Sequence, residues 1–395
     1  MGDRPKIIAL PGDLAACGYY RVLAPLAALE RAGLAEVYRP EPTRLPSGKL
    51  DVQIDVRILK DFDIAVLQRQ SEERIADLVE VAHKFGTKVV FDLDDDIYAV
   101  QPNTSAYEVF GRDWRKVGGL GKATGRAIPA LPADVAPSAI PERRQHTALV
   151  HAAHQWTGEA RGKMAQLLSN LRAADLVTVS TEQLRQVYSS QRKDIVVLPN
   201  QIEPRDWEAA VARPYPKANG ECWIGWAGSE SHWQDLKEAA RAVVEVLRRN
   251  PHARLVLIGF SKSARLFEQV QEQVITFEWM PLESYRHVVA AFDIALAPSA
   301  AIRFNEGKSD IRVLEAALCR IPVVASETTY GDTVRAAGCG FVAKTVQKWQ
   351  KGLARLVGDA SLRSTLGKNG NEYVLRERTY DANAWRWAEA YSNLL

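Results

Sequence analysis

Lys308 and Glu315 are the two charges whose setting carries the most chemistry. Residues 298–326 read Pro-Ser-Ala-Ala-Ile-Arg-Phe-Asn-Glu-Gly-Lys-Ser-Asp-Ile-Arg-Val-Leu-Glu-Ala-Ala-Leu-Cys-Arg-Ile-Pro-Val-Val-Ala-Ser. The pattern predicts a strand ending at Pro298, a polar loop, a helix opening near Lys308-Ser309-Asp310, and a second strand over Pro322–Ala325. A helix start aims unpaired backbone N–H groups and the positive end of its dipole at whatever lies there. Lys308 adds a full positive charge, so the pattern suits an anion. Glu315 follows two helical turns later, expected on the same face as Lys308, a rise of about 10 Å. That is the reach from a diphosphate to the ribose of a nucleotide, and a carboxylate can accept two hydrogen bonds from a ribose diol. Ile311, Leu314 and Leu318 form the opposite, sheet-facing stripe. An ordinary amphipathic helix with a solvated Lys and Glu is the plain alternative, and two charges alone do not separate the readings.

Other clusters offer weaker chemistry. Phe91-Asp92-Leu93-Asp94-Asp95-Asp96-Ile97 places four acids in five positions at the end of a predicted strand. Clustered carboxylates repel one another unless paired. They could hydrogen-bond sugar or acceptor hydroxyls, with Asp94 or Asp96 as a base. They could hold a divalent cation, or cap a loop and pair with basic residues. The loops Ile224–Ser229, followed by His232 and Asp235, and Pro11–Arg21 each join a strand to a helix through glycine. An ordinary strand–helix turn is the plain reading of both. His151 and His154 are spaced like a metal pair on a predicted helix, but no third ligand is evident. Gly119–Gly125 mimics a dinucleotide loop without the preceding strand that loop requires. Ser261-Lys262-Ser263 has no glycine-rich lead of the phosphate-loop kind.

These residues must be held by a larger framework. The chain has 395 residues, which predicts two domains, and 47% hydrophobic with 25% charged residues is a globular balance. Strand-like runs are read at Lys6–Gly12, Ile64–Gln68, Lys88–Leu93, Leu176–Ser180 and Ile195–Pro199. A second series covers Cys222–Ala227, Arg254–Gly259, Ile275–Trp279, Ile294–Ala297, Pro322–Ala325 and Gly340–Ala343. Helical periods over Tyr20–Ala32, Ser71–Phe85, Trp233–Arg249 and Ile311–Cys319 alternate with them. Such alternation predicts an α/β fold of two Rossmann-like, doubly wound domains, with a ligand cleft expected at the carboxyl ends of the strands. Pro214, Pro216 and Gly220 mark the predicted linker. The expected division is therefore 1–213, 214–375 and a packing helix over 376–395.

Residues 103–150 break the rhythm as an irregular, basic insertion, a candidate lid or acceptor loop that would suit a nucleic-acid acceptor. The net charge of +3 is too small to prove a polyanionic partner. Four scattered cysteines without a Cys-x-x-Cys pair argue against a zinc site or a disulfide framework. With no signal-peptide pattern and no apolar run of about 18 residues, a cytoplasmic protein without a transmembrane segment is expected.

The segment 298–326 resembles the donor-site signature of the two-Rossmann GT-B glycosyltransferases, close to the retaining family 4 (glycosyltransferase group 1) enzymes. Glu315-Ala316-Ala317 and Pro322-Val323-Val324-Ala325-Ser326 carry the match. By this resemblance Glu315 is the ribose-binding acid and Glu306 the sugar-contacting acid. Asn305, Lys308 and Ser309 are similar to a variant whose loop reads Asn-x-x-Lys-Ser. Two features depart from the family. Eight residues rather than the usual seven separate Glu306 from Glu315, and Arg320 stands where a small glycine is usual.

The resemblance extends to Ile224–Ser229 as the first loop of the donor domain. The Arg and Lys that normally follow it are missing, so Gly228, Ser229, His232 and Lys308 are expected to share the diphosphate. Pro11–Arg21 is similar to the first loop of the acceptor domain, which puts Gly18, Tyr20 and Arg21 on the acceptor side. The resemblance implies transfer of a sugar from a UDP- or GDP-sugar to a hydroxyl of a glycan, a protein or a modified DNA base. It implies retention of configuration and no obligatory metal or other cofactor. Two other classes fit parts of the pattern. A non-catalytic sugar-nucleotide binder would explain the missing donor-loop cations. A dinucleotide-dependent oxidoreductase would need a Gly-x-Gly-x-x-Gly after a strand, which the chain does not have.

Overall fold

The computed structural model describes residues 4–44, 50–51, 54–71, 73–100, 158–229, 232–259 and 261–395. The basic insertion, His151, His154 and Gly119–Gly125 lie outside these residues. Two compact units emerge: Met1–Pro199 with Trp385–Leu395, and Asn200–Ala384.

The first unit is built on β1 (Lys6–Leu10), β2 (Glu36–Tyr38), β5 (Ile64–Gln68), β6 (Lys88–Leu93), β7 (Leu176–Val179) and β8 (Ile195–Val197), with a small antiparallel pair, β3 (Thr43–Arg44) and β4 (Leu50–Asp51), beside the main order. The six main strands lie in the order β2-β1-β5-β6-β7-β8 and every pairing among them is parallel. Strand β2 was not legible in the sequence because it is three residues long and mostly exposed, with no apolar run to mark it.

The second unit contains β9 (Cys222–Gly228), β10 (Ala253–Gly259), β11 (Val274–Glu278), β12 (Ile294–Ala297), β13 (Val323–Ser326) and β14 (Gly340–Ala343), in the parallel order β11-β10-β9-β12-β13-β14. Renumbered within the unit this is 3-2-1-4-5-6, the order of the Rossmann fold. Side chains of these strands alternate between two apolar layers, as the two-residue period requires. Ile224, Leu255, Leu257, Ile294, Leu296 and Val324 face the layer under the helix Trp233–Arg249. Trp223, Val256, Ile258, Ala295, Ala297 and Val323 face the layer that takes Val313, Leu314 and Ala317 of the helix Ile311–Leu318. Burial on both faces explains why the strands read as continuous apolar runs.

The division falls at Pro199 and Asn200, ahead of the linker expected at Arg213–Gly220. The physical reason is that residues 200–212 are tied into the second unit. Ile202 bridges to Thr379, its N–H donates to Arg378 O at 2.9 Å, and Trp207 is buried in the second unit's core. Near the end of the sequence a helix runs over Tyr380–Ser392. Among the described residues, no helix is long and apolar enough to cross a membrane.

Candidate functional site

In the second unit the strand order reverses between β9 and β12, which pair directly. Open parallel sheets bind ligands at the carboxyl ends of the strands where such a reversal occurs. Strand β9 leads into Ser229, His232 and the helix Trp233–Arg249, and β12 leads into residues 298–310. Asp235 joins the two loops. Its Oδ1 accepts from the Ala300 N–H at 2.9 Å and from Asn305 Nδ2 at 2.6 Å, and its Oδ2 lies 2.9 Å from His232 Nδ1. Burial alone would raise the Asp235 pKa, but the His232 contact, the Ala300 N–H and the charge of Arg312 bring it below the usual value.

An ionised Asp235 can only accept hydrogen bonds, so His232 Nδ1 carries the proton. Burial and then the neighbouring Arg312 charge push the His232 pKa down from 6.5 to about 4, against the opposing pull of Asp235. The ring is therefore neutral near pH 7, with its lone pair on Nε2. This revises the expectation that His232 shares in neutralising a diphosphate. A neutral ring whose N–H is already used offers a hydrogen-bond acceptor, which suits a sugar hydroxyl.

Gly228 also has a reason internal to the fold. A Cβ there would come within 2.4 Å of the buried Trp226 ring, so close packing already demands glycine. Ser229 is exposed at the loop. Asn305 is buried and turned inward, since its amide holds Asp235 and also donates to Ala300 O at 3.0 Å. Ser309 Oγ accepts from Asn200 Nδ2 at 2.8 Å. Asn305 and Ser309 thus shape the loop through their side chains, and a direct donor contact is not needed to explain them.

Lys308 does not lie on the helix with Glu315. The helix is Ile311–Leu318, and a short helix, Arg303–Glu306, occupies what was expected to be irregular loop. The shared-face expectation for Lys308 and Glu315 is corrected accordingly, because the chain between Glu306 and Asp310 is not helical. Lys308 instead places its ammonium 4.4 Å from the centroid of the buried Phe304 ring, three residues ahead of the helix start. Glu306 ends the short helix and is half-buried. The start of the longer helix is held by Asp310, which takes two hydrogen bonds from Arg378 at 2.7 and 2.9 Å and one from Thr333 at 2.6 Å.

Glu315 is buried, and its Oε2 accepts from the Tyr285 hydroxyl at 2.7 Å. Burial, then the Glu315 charge and this hydrogen bond, hold the Tyr285 hydroxyl well above its ordinary pKa, so it stays a donor. Sequence reading missed Tyr285, which lies 30 positions away from Glu315 with no motif linking them. It also missed Arg312, the second residue of the helix Ile311–Leu318. The Arg312 charge acts on His232, Asp235, Tyr285 and Tyr330 together. A signal was present, since a cation three residues before Glu315 on the same helix sits on the neighbouring face.

The first unit brings its own polar residues together at the carboxyl ends of its strands. Arg21 is buried, not directed to an acceptor: its Nε and Nη2 donate to Asp92 at 3.0 and 2.6 Å and its Nη1 donates to Leu198 O at 2.6 Å. Thr178 Oγ1 donates to the same Asp92 at 2.6 Å. Tyr20 is also buried. Gly18 is needed by its own loop, because a Cβ would meet Asp13 O at 1.8 Å.

The remaining acids separate by role. Asp95 lies 2.8 Å and Asp94 3.8 Å from Arg69, which also faces Asp13 at 3.5 Å. Asp96 is buried and its Oδ1 caps a short helix by accepting from Tyr98 N–H at 3.0 Å. The cluster is thus explained in large part by pairing and capping. Arg69, the central cation, was not singled out in the sequence. Among the described residues no group of His, Cys, Asp and Glu is arranged to hold a metal ion.

Residues 221–359 match the family model described as glycosyl transferases group 1. No curated protein matches the chain. Among solved structures, HepE of Anabaena in complex with UDP-glucose aligns over 98% of this chain and 99% of its own, with TM-score 0.58 and 13% identity. TarM of S. aureus, in complex with fondaparinux, alpha-GlcNAc-glycerol and UDP, aligns over 83% of this chain with TM-score 0.53 and 10% identity. The match spans only 55% of the TarM chain. At these identities the likeness is one of fold. The chain has the GT-B fold, and residues 221–359 of its second unit are similar to the glycosyl transferases group 1.

Proposed function

We propose that the protein transfers a sugar from a nucleoside-diphosphate sugar, UDP-linked in the simplest reading, to a hydroxyl acceptor with retention of configuration. The observation that carries the proposal is the junction of β9 and β12. There a helix start, Lys308, a neutral His232 and the Tyr285–Glu315 pair stand on adjacent elements within the family-matched domain. The division of labour follows from chemistry. Lys308 and the amides opening the helix Ile311–Leu318 stabilise charge as it develops on the departing diphosphate. Glu315 accepts the ribose hydroxyls, with Tyr285 fixing its carboxylate. His232 accepts from a donor-sugar hydroxyl through Nε2. Glu306, two residues before Lys308, is assigned to the sugar, with Asp94 left as the candidate acid of the first unit. UDP in the HepE and TarM complexes supports the choice of uracil donor, and the glycan in TarM supports a glycan hydroxyl as the first acceptor class to try.

The test is release of free nucleoside diphosphate from a panel of UDP- and GDP-sugars, with glycans, hydroxylated proteins and hydroxymethylated DNA as acceptors. Acceptor-dependent release identifies the transferase. Binding of a donor with no release beyond the uncatalysed rate would favour a binding protein on the same fold.

A further inference from the structure

Lys308 is one cation for the diphosphate, and the place of a second is open, because this chain lacks the Arg and Lys that the resemblance leads one to expect after β9. We propose that Arg312 fills this place and takes the diphosphate directly. The inference rests on reading the second unit as the donor site.

Four observations carry it. First, Arg312 Nη1 is shut off from solvent and makes no hydrogen bond among the described residues. A buried guanidinium N–H without an acceptor is costly, and it is rare in native structures unless a ligand or water completes it. Second, Arg312 is the second residue of the helix Ile311–Leu318, whose start follows the loop that holds Lys308. Its charge is felt at His232, Asp235, Tyr285 and Tyr330, so it stands among the polar groups of the site.

Third, the site's carboxylates Asp235 and Glu315 have other donors. Asp235 takes the Ala300 N–H and the Asn305 amide and faces His232. Glu315 takes Tyr285. Among the described residues no carboxylate forms an ion pair with Arg312. Fourth, the other arginine at this helix start behaves differently. Arg378 is neutralised by Asp310 through two hydrogen bonds, as a structural arginine should be. Among the described residues Arg312 meets the Trp226 face, 6.0 Å from its guanidinium carbon. That contact orients the group but leaves Nη1 without an acceptor. A planar guanidinium with spare N–H groups matches two phosphate oxygens at once.

Calorimetric titration of the full chain with UDP and GDP, with uridine and guanosine, and with inorganic pyrophosphate tests this. For Arg312→Gln we expect the diphosphate nucleotide to bind at least about tenfold more weakly and pyrophosphate binding to be lost. The parent nucleoside should change by less than about twofold. Should Arg312→Gln fail to fold, Arg312→Lys carries the test, with an intermediate loss confined to the diphosphate ligands. Unchanged diphosphate affinity in a folded variant would overturn the assignment while leaving the donor-site reading intact. An equal loss for nucleoside and diphosphate would also overturn it, marking Arg312 as a packing residue. If the wild-type chain binds neither UDP nor GDP, the proposed function falls and Arg312 falls with it.

Discussion

The Tyr285 hydroxyl donates to Glu315 Oε2 at 2.7 Å, so the acid at the heart of the proposed donor site is held in place by a side chain from a different helix. A carboxylate fixed on one oxygen presents the other in a defined direction. This is how a single acid can select a ribose over a deoxyribose.

That selection is measurable. UDP should bind about tenfold more tightly than 2′-deoxy-UDP, the value of one hydrogen bond to a charged group. Glu315→Ala should remove the difference and reduce turnover at least tenfold. Tyr285→Phe should narrow it while leaving the diphosphate contribution alone. Titration calorimetry with the two nucleotides checks the three affinity differences and nucleoside diphosphate release checks turnover; equal discrimination in wild type and Glu315→Ala would contradict the ribose role.

Lys308→Ala should reduce donor turnover at least about tenfold, through loss of charge stabilisation on the leaving group. The fold should survive, since Lys308 lies between the helices Arg303–Glu306 and Ile311–Leu318 and within neither. Steady-state release of nucleoside diphosphate together with a thermal melt separates the two effects.

His232 should remain neutral through the physiological range. Its pKa is lowered from 6.5 to about 4, so the unfolded chain binds a proton there that the folded chain does not. Stability therefore rises with pH between about 4 and 6.5 on account of this group, and is lost as pH falls through that window. Histidine ring NMR should show one resonance titrating near pH 4, absent in His232→Gln. A midpoint near 6.5 would contradict the neutral-acceptor role.

The buried Arg21–Asp92 pair should be a stability element of the first unit. Asp92→Ala leaves a buried guanidinium without its partner, which costs about 3–5 kcal/mol. Denaturant unfolding should report that loss, and an unchanged midpoint would contradict the reading.

The two sheets were legible because their strands are buried on both faces and read as short apolar runs, as in Ile64–Gln68 and Ile294–Ala297. Edge strand Glu36–Tyr38 was not, because an exposed strand of three residues carries no such signal. The likeness to glycosyl transferases group 1 was legible from one continuous stretch around Lys308 and Glu315, which lies within the matched residues 221–359. Arg312 was passed over within that stretch, since its neighbours His232 and Tyr285 come from distant positions. Asp94, Asp95 and Asp96 were visible as a cluster, but Arg69 and the capping of Tyr98 depend on how the loops fold, which composition does not encode. Arg21 was placed on the acceptor side by resemblance and is buried because Asp92, 71 positions on, meets it at a strand end.

A crystal structure of the protein with UDP tests the central claim most directly. The account predicts the diphosphate at the start of the helix Ile311–Leu318, in reach of Lys308, and the ribose hydroxyls on Glu315. UDP bound elsewhere, out of reach of both side chains, would contradict it.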